Sequence, residues 1–542
     1  MIHTIPLRDL FPGRSLYADC WEGRKAFRSL VPRYFRDPGA FAAQHALLSG
    51  RRYDRGTLLE VLTSQNAAFG CGPRAMEAIG RLADPASTVV IGGQQAGLFG
   101  GPLYTVHKAL TILALAARLE KELGAPVVPV FWIASEDSDL AEVDRALVTD
   151  RDGRLRTVRL AGDEGAKLPV SLVRLGPDIR SALEELAGAL PESASALEVL
   201  DGLRAAYAPG RTYPQAFGAW MAWLFRDRGL VLVDPSDARL KRIALPLFTR
   251  EVAEKSPVSA AVIEQTGRLA AEGYPAQVEL RPGLLTLFYQ NPSRDAVAVR
   301  DDGYELRTSG RRFSAGELAG LLGASPESFG PNAVLRPLFQ DTLFPTVSVV
   351  LGPAELAYFT QLTLAYERMG IPMPVLFPRA SLTLVEPRME RLLAKYGISL
   401  GEILARGGRV IDDIVKREIP GALLERLADG RRTAGAAWQG IVAHIDRLDP
   451  TLKRTAELAA GRSARQFEFV EKKITKAARR KNEILRGQVE RLVASLAPGG
   501  GLQERSLSAL PFLASFGRGV LDDAARAIDL FAPEHRGVVI EP

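Results

Sequence analysis

Residues 87–108 read STVVIGGQQAGLFGGPLYTVHK. The β-branched run 87–91 predicts a short strand, which opens directly into a glycine-rich loop from Gly92 to Pro102 with glycines at 92, 93, 97, 100 and 101. From Tyr104 the segment YTVHKALTILALAARLEKEL carries apolar residues at helical spacing. The next stretch, APVVPVFWIASEDSD (125–139), is apolar without alternation and ends in carboxylates. That pattern predicts a parallel strand covered on both faces. Strand, helix and strand make a βαβ unit, whose chemistry belongs at the carboxyl ends of its strands.

Working outward, RGLVLVDPSD (228–237), TVSVVLGPAELAYF (346–359) and PMPVLFPRAS (372–381) are further buried-strand runs closed by Gly, Pro or Asp. The α/β core is therefore expected to be discontinuous, over 1–150, 216–269 and 331–389. Insertions are expected at 151–215 and at 270–330, the latter a small mixed module containing YPAQVEL, LLTLFYQ, AVAVRDDGYELRTSGRRF and SAGELAGLLG. Residues 390–500 turn helical. Over 463–496 an apolar seam of Phe467, Val470, Ile474, Ala477, Ile484, Leu485, Val489, Leu492 and Leu496 predicts a rod of roughly 50 Å. Lys481 interrupts that seam and its phase shifts near Ile484–Leu485, which predicts a stutter in the coiled coil. The tail 501–542 is apolar enough to dock on the core.

The 542 residues, 47% hydrophobic and 24% charged, describe a folded globular chain, of three or four units at roughly 150 residues each. A net charge of +6 on this length argues against a specific nucleic-acid partner. Lys472, Lys473, Lys476, Arg479, Arg480, Lys481 and Arg486 cluster on the long helix, with no aromatic interleaved after Phe469, and read as a solvated face. Cys20 and Cys71 cannot form a disulfide framework, and no Cys/His cluster is spaced for zinc. A cytoplasmic location is expected. No signal-peptide pattern and no ~20-residue apolar span is present, so no membrane partner is expected.

The candidate site residues lie at the expected strand ends. In the loop, Gly93, Gln94, Gln95, Gly97 and Gly101 are expected to bring backbone amides to an anion. Two adjacent amides in such a loop need a ligand or a network if buried. Tyr104 and His107 share a helix face at i, i+3, with Lys108 beside them. Trp132 belongs to the strand that Glu136, Asp137 and Asp139 follow. These carboxylates suit an amine or a magnesium ion, or simply cap the next helix. Arg336, Glu355 and Tyr358, and Arg379 with Ser381, mark the later strand ends.

The blocks VVIGGQQAGLFGGPLYTVHKA, PVVPVFWIASED, PNAVLRP, GPAELAYF, PMPVLFPRAS and GLQER, in this order, resemble the BshC family, the cysteine-adding enzymes of bacillithiol biosynthesis. The resemblance implies a nucleotidyltransferase-like Rossmann core with two connective modules, and a C-terminal coiled-coil domain that forms a homodimer. It also implies a ligase that joins cysteine to glucosaminyl-malate, forming an amide at the sugar amine. A free carboxylate acylates poorly, so ATP activation is expected, with magnesium as a possible companion. The loop and Lys108 would then face anions, His107 would stabilise developing charge, Glu136 or Asp137 would hold the amine or magnesium, and Arg336 and Arg379 would contact anions. The family is distantly similar to class I aminoacyl-tRNA synthetases, whose helix-start histidines correspond to Tyr104 and His107. Three positions depart from these patterns: Val106 replaces the glycine beside the synthetase adenine site, Ser138 stands where the family has histidine, and Gly330 replaces the serine before PN. The rival readings are a nucleotide-sensing coiled-coil scaffold without catalysis and a nucleic-acid-binding protein.

Overall fold

The computed structural model describes residues 1–11, 13, 15–160, 168–291, 293–411, 414, 420–481 and 483–541, and does not describe the side chains of 446, 447, 450, 478–481, 483 and 484. Two compact units are present, residues 1–387 with 503–542, and residues 388–502.

Eight strands organise the core of the first unit: β1 (Ile2–Pro6), β2 (Thr88–Gln95), β3 (Val127–Ala134), β4 (Val231–Val233), β5 (Thr346–Leu351), β6 (Val375–Pro378), β7 (Ser381–Val385) and β8 (Glu534–Val539). Five of them form a sheet in the order β4-β3-β2-β5-β6, parallel at every pairing. In chain order this is 3-2-1-4-5, the doubly wound arrangement, and its topological switch point lies between β2 and β5. Helix α1 (Tyr104–Leu123) covers the sheet with Ala109, Ile112, Leu115, Ala116 and Leu119, all buried.

Strand β2 runs further than the expected 87–91, and its ladder with β3 continues through Gln94 and Gln95, opposite Ile133 and Ala134. The glycines make this possible. A Cβ on Gly92 would stand 2.8 Å from the Val350 carbonyl oxygen, and one on Gly93 would stand 2.7 Å from that of Trp132. The remainder of the loop folds on itself. A Cβ on Gly97 would stand 2.9 Å from Gly101 Cα, and Gly100, at φ 94°, packs against the Trp220 indole.

A hairpin of Arg145–Thr149 and Leu155–Arg159 straddles the expected start of the first insertion, and helices Ile179–Ala189 and Ala194–Ala206 follow it. The second insertion contains a five-stranded antiparallel sheet in the spatial order Arg312–Phe313, Gly303–Leu306, Arg294–Arg300, Leu284–Gln290, Phe329–Pro331. Gly330 belongs to its last strand, where a Cβ would stand 2.3 Å from Gln290 Nε2. Glycine at 330 thus leaves room for the glutamine.

The chain termini meet in a small sheet, β1-β8-β7, with β8 antiparallel to β1 and parallel to β7. Ser381 pairs with His535 across β7 and β8. The imidazole is fully buried, with Nδ1 2.8 Å from Ser381 Oγ and Nε2 2.8 Å from Thr383 Oγ1.

In the second unit, α2 (Gly421–Leu448) and α3 (Lys453–Lys481) are joined by a short turn at 449–452 and pack along each other. A Cβ on Gly430 would stand 2.9 Å from the Phe467 ring, and Arg431 lies 3.5 Å from Glu468. The predicted seam is divided. Phe467 and Ile474 are half-buried, while Val470 and Ala477 are exposed. On α4 (Glu483–Leu496), Leu485, Val489, Leu492 and Leu496 are buried, and α4 packs with helix Leu400–Arg406. The seam splits because a single neighbouring helix covers one face of α3 and leaves the other open. Lys472, Lys473, Lys476 and Arg486 are exposed. The expected stutter at Lys481 and Ile484, and the cations Arg479 and Arg480, lie outside the described side chains.

Burial holds the His535 imidazole neutral and pushes its pKa down to about 4. An unfolded histidine titrates near 6.5, so between about pH 6.5 and 4 the unfolded chain takes up a proton that the folded chain refuses. Stability is therefore full above that window and falls by up to about 3 kcal/mol as pH drops through it. Urea unfolding across this range should show the decline, and His535→Asn should flatten it.

Candidate active site

A cavity of about 640 Å³ opens in the first unit where β2, β3 and β5 end, and Gly93, Gln94, Gln95, Tyr104, Lys108, Trp132, Glu136, Asp137, Arg336, Glu355, Tyr358 and Arg379 all line it. The parallel sheet and its switch point bring these residues together from positions up to 286 apart in the chain. Five expected members are elsewhere. Gly97 and Gly101 pack against each other in the folded loop. Asp139 accepts the Ala141 amide at 3.1 Å and caps the turn Leu140–Glu142. Ser381 sits in the terminal sheet, and His107 is buried behind the cavity wall.

One side of the cavity is cationic. Lys108, one turn into α1, donates from Nζ to the Gly93 carbonyl at 2.5 Å, to Gln94 Oε1 at 3.0 Å and to Glu355 Oε2 at 2.5 Å. Burial lowers its pKa, against the opposing attraction of Glu355. Glu355 also accepts the Gly352 amide at 2.8 Å, the capping arrangement of helix Pro353–Thr360. Arg336 donates to the Tyr358 hydroxyl at 2.6 Å and to Gln340 Oε1 at 3.3 Å. Among the described residues no carboxylate oxygen lies within salt-bridge distance of it. Burial disfavours its charge, but Tyr358 and Glu355 outweigh that and hold its pKa up. Arg505 reaches the cavity from the returning C-terminal segment, exposed and without an ion pair among the described residues.

Behind this side lies the carboxylate of Glu504, 2% exposed. It accepts two bonds from Arg379, at 2.8 and 2.9 Å, and others from Ser381 Oγ at 3.1 Å and the Leu382 amide at 3.0 Å, while His107 Nδ1 lies 3.1 Å away. Burial opposes its charge, yet Arg379 and His107 hold its pKa well below the ordinary carboxylate range. Arg379 lines the cavity with its charge already answered by Glu504. Burial likewise lowers the pKa of His107 and keeps its ring neutral.

The opposite side is acidic. Glu136 follows β3 and is buried. Lys241 Nζ, on helix Ala238–Ile243 after β4, lies 2.5 Å from Glu136 Oε1, an ion pair by distance. Neither oxygen of Glu136 receives an aligned hydrogen-bond donor. Burial raises its pKa, and Lys241 acts against that rise. Asp137 accepts from Gln95 Nε2 at 3.1 Å and lies 3.6 Å from Arg294, and Gln95 also donates to Glu142. The Arg294 guanidinium stacks on Phe288 at 3.9 Å and donates to the Pro331 carbonyl at 3.1 Å. Asp234, at the end of β4, accepts from Ser135 Oγ at 2.5 Å. The backbone amide of Ser138 bonds to Asp137 Oδ1 at 2.8 Å.

Glu504, Arg505, Arg294 and Lys241 escape the reading of the sequence. GLQER at 501–505 was a visible signal for the first two, as a polar block between a glycine stop and an apolar tail. Arg294 and Lys241 sit in ordinary surface-like contexts, RDAVAV and DARLKRI, and only the fold turns them inward. Among the described residues no three His, Cys, Asp or Glu side chains gather as metal ligands. Cys20 is buried and Cys71 half-buried, both unpaired.

A family model described as "Bacillithiol biosynthesis BshC, N-terminal Rossmann-like domain" matches residues 2–380, and one described as "Bacillithiol biosynthesis BshC, C-terminal coiled-coil domain" matches residues 382–540. The chain is 33% identical to a protein named "Putative cysteine ligase BshC" from Salinibacter ruber, over 99% of this chain and 98% of that one. It is 35% identical to a protein of the same name from Koribacter versatilis, over 98% of each. A solved structure from Campylobacter jejuni, described as a putative arginyl t-RNA synthetase, is 11% identical over 88% of this chain and 98% of its own, with a TM-score of 0.23. With both halves matched in order by one family's two domains, and with relatives of the same length throughout, the chain belongs to the BshC family.

Proposed function

We propose that this protein acts in bacillithiol biosynthesis as a ligase that joins the carboxyl of cysteine to the amine of glucosaminyl-malate, with ATP activating the carboxyl. Family membership supports the pathway. The observation that carries the chemistry is a cavity with Arg336 and Arg505, free of ion pairs among the described residues, on one side and the buried carboxylate of Glu136 on the other. Amide formation between a carboxylate and an ammonium needs both. The anions of ATP and of the malyl group would meet Lys108, Arg336 and Arg505, held in a partly dry site where charge interactions are strong. The ammonium group would meet Glu136 or Asp137. Magnesium commonly binds through one or two carboxylates together with substrate phosphates. Asp137 and Glu142, already linked by the Gln95 amide, would supply them. Zinc has no part in this reading, and cysteine would be selected by pocket shape and polar contacts.

Incubating the purified protein with cysteine, ATP and glucosaminyl-malate, with mass spectrometry of the product, tests the proposal. Nucleotide binding without product would favour the scaffold reading. Arg505→Ala should lower kcat/KM by roughly tenfold to a hundredfold, the loss of one charge-assisted contact. It should leave the melting temperature in place, because Arg505 holds nothing else together.

The proposal includes a homodimer through the helical unit. Leu458, Phe469 and Val470 on α3 and Ile441 on α2 are exposed at 55, 53, 42 and 44%. Exposed apolar side chains on this helix pair favour a partner surface, and twofold dimers are the commonest soluble assembly. Phe469→Glu with Val470→Glu should convert the protein to monomer in sedimentation while the first unit stays folded. A wild-type monomer at micromolar concentration would overturn the assembly.

A further inference from the structure

Arg336 lies in the first turn of the helix Leu335–Leu343, on the wall of the cavity. A cation is disfavoured at that end of a helix, where the backbone dipole is already positive. Among the described residues no ion pair answers it, and the groups that orient it are neutral. The Tyr358 hydroxyl accepts from one terminal nitrogen at 2.6 Å, and Gln340 Oε1 accepts from the other at 3.3 Å. Gln340 stands one turn along the same helix, at i+4, and is fully buried.

A side-chain amide can present either its oxygen or its NH2 group to a neighbour, and its second partner decides which. For Gln340 that partner is Asp341, 3% exposed, whose Oδ1 accepts from Gln340 Nε2 at 3.0 Å. An ionised carboxylate can only accept, so it holds the nitrogen and leaves Oε1 for the guanidinium. Burial pushes the Asp341 carboxyl up to about 6, against the opposing pull of Tyr366, Thr346, Gln340 and Arg336, and it is therefore ionised at neutral pH. Its other oxygen, Oδ2, accepts from the Tyr366 hydroxyl at 2.5 Å, on helix Thr363–Met369. Neither Gln340 nor Asp341 lines the cavity. The buried carboxylate reaches it through the amide, and with the amide reversed the guanidinium would meet a second donor.

We infer that Asp341 is a positioning residue for Arg336, acting through Gln340, and that the guanidinium so held binds an oxyanion of the substrates, a phosphate or a carboxylate. The inference rests on the ligase reading above, in which ATP and the malyl group both bring such anions to the cavity. A carboxylate paired directly with Arg336 would compete with that anion. The neutral amide orients the guanidinium instead and leaves its charge for the ligand. Tyr358 accepts from Arg336 with a lone pair, so its O–H hydrogen serves the same anion. The charge that fixes this geometry stays buried behind the wall.

The test measures the dissociation constants of ATP and of glucosaminyl-malate by titration calorimetry, beside amide formation, in the full chain. The variants are Arg336→Met, Asp341→Asn, Gln340→Leu, the double change Asp341→Asn with Gln340→Leu, and Tyr366→Phe. Arg336→Met should weaken one of the two ligands by about tenfold or more, and the ligand affected tells a phosphate from a malyl carboxylate. Asp341→Asn and Gln340→Leu should each weaken that same ligand by about tenfold and leave the other within about twofold of wild type. The double variant should bind no more weakly than Gln340→Leu, because Asp341 acts through the amide. Tyr366→Phe removes the other partner of the carboxylate, leaves the amide in place and should bind as wild type does, whatever happens to its melting temperature. Equal loss of both ligands, additive losses in the double variant, or a Tyr366→Phe as weak as Asp341→Asn would make Asp341 a structural residue and overturn the inference. Wild-type affinity in Gln340→Leu overturns it too, whether or not Asp341→Asn folds. A wild type that binds the ligands but makes no amide sinks the ligase reading alone. An active wild type whose affinities are unmoved in Arg336→Met or Gln340→Leu sinks only this inference.

Discussion

The carboxylate of Glu504 has no access to water, so its charge must be answered from within the protein. Arg379 at the end of β6, Ser381 and the Leu382 amide on β7, and His107 on α1 supply that answer. They come from the end of one strand, from β7 and from α1, and the carboxylate joins them. The constraint fixes where the chain must return after the helical unit. Gln503 reinforces it by bonding both the amide and the carbonyl of Leu384, and Tyr17 bonds the Arg379 carbonyl at 2.9 Å. Losing one partner of such a pair costs about 3–5 kcal/mol, because the other charge stays buried. The segment that anchors the interior thereby also delivers Arg505 to the cavity.

Within the cavity two ion pairs differ in kind. Lys108 and Glu355 are linked through well-aligned bonds that also tie β2 to the helix after β5, so this pair closes the switch point of the sheet. Glu136 and Lys241 are close through one carboxylate oxygen, Oε1, which leaves Oε2 without a donor. Saturated pairs build walls, and unsaturated groups are what a ligand can use. Arg336 belongs to the second class, being oriented by Tyr358 and Gln340 without a carboxylate of its own among the described residues.

The helical unit follows simpler rules. A glycine at 430 lets α2 approach the Phe467 ring, and the short turn at 449–452 sets α2 and α3 antiparallel within one chain. A two-helix hairpin can bury only one stripe of each helix. Val470 therefore remains on the open side, with Phe469 beside it, even though the spacing of Val470 belongs to the seam.

The sequence by itself determined the βαβ opening, the parallel character of the buried strands, the change to helices near residue 390 and, through its ordered blocks, the family. Those features rest on local patterning, where apolar runs and spacing fix secondary structure. It also marked most of the cavity, because residues at parallel strand ends converge whatever the details. The tertiary structure alone decided how far β2 extends, since only the contacts of Gly92 and Gly93 with Val350 and Trp132 let the ladder continue. It placed His107 and Ser381 around Glu504 instead of in the cavity, a choice made by a partner 397 residues away from His107. It turned Lys241 and Arg294 inward from stretches that read as surface. Charge on an isolated stretch has no direction. Desolvation, and the counter-charge that must answer it, exist only once distant strands have been brought together.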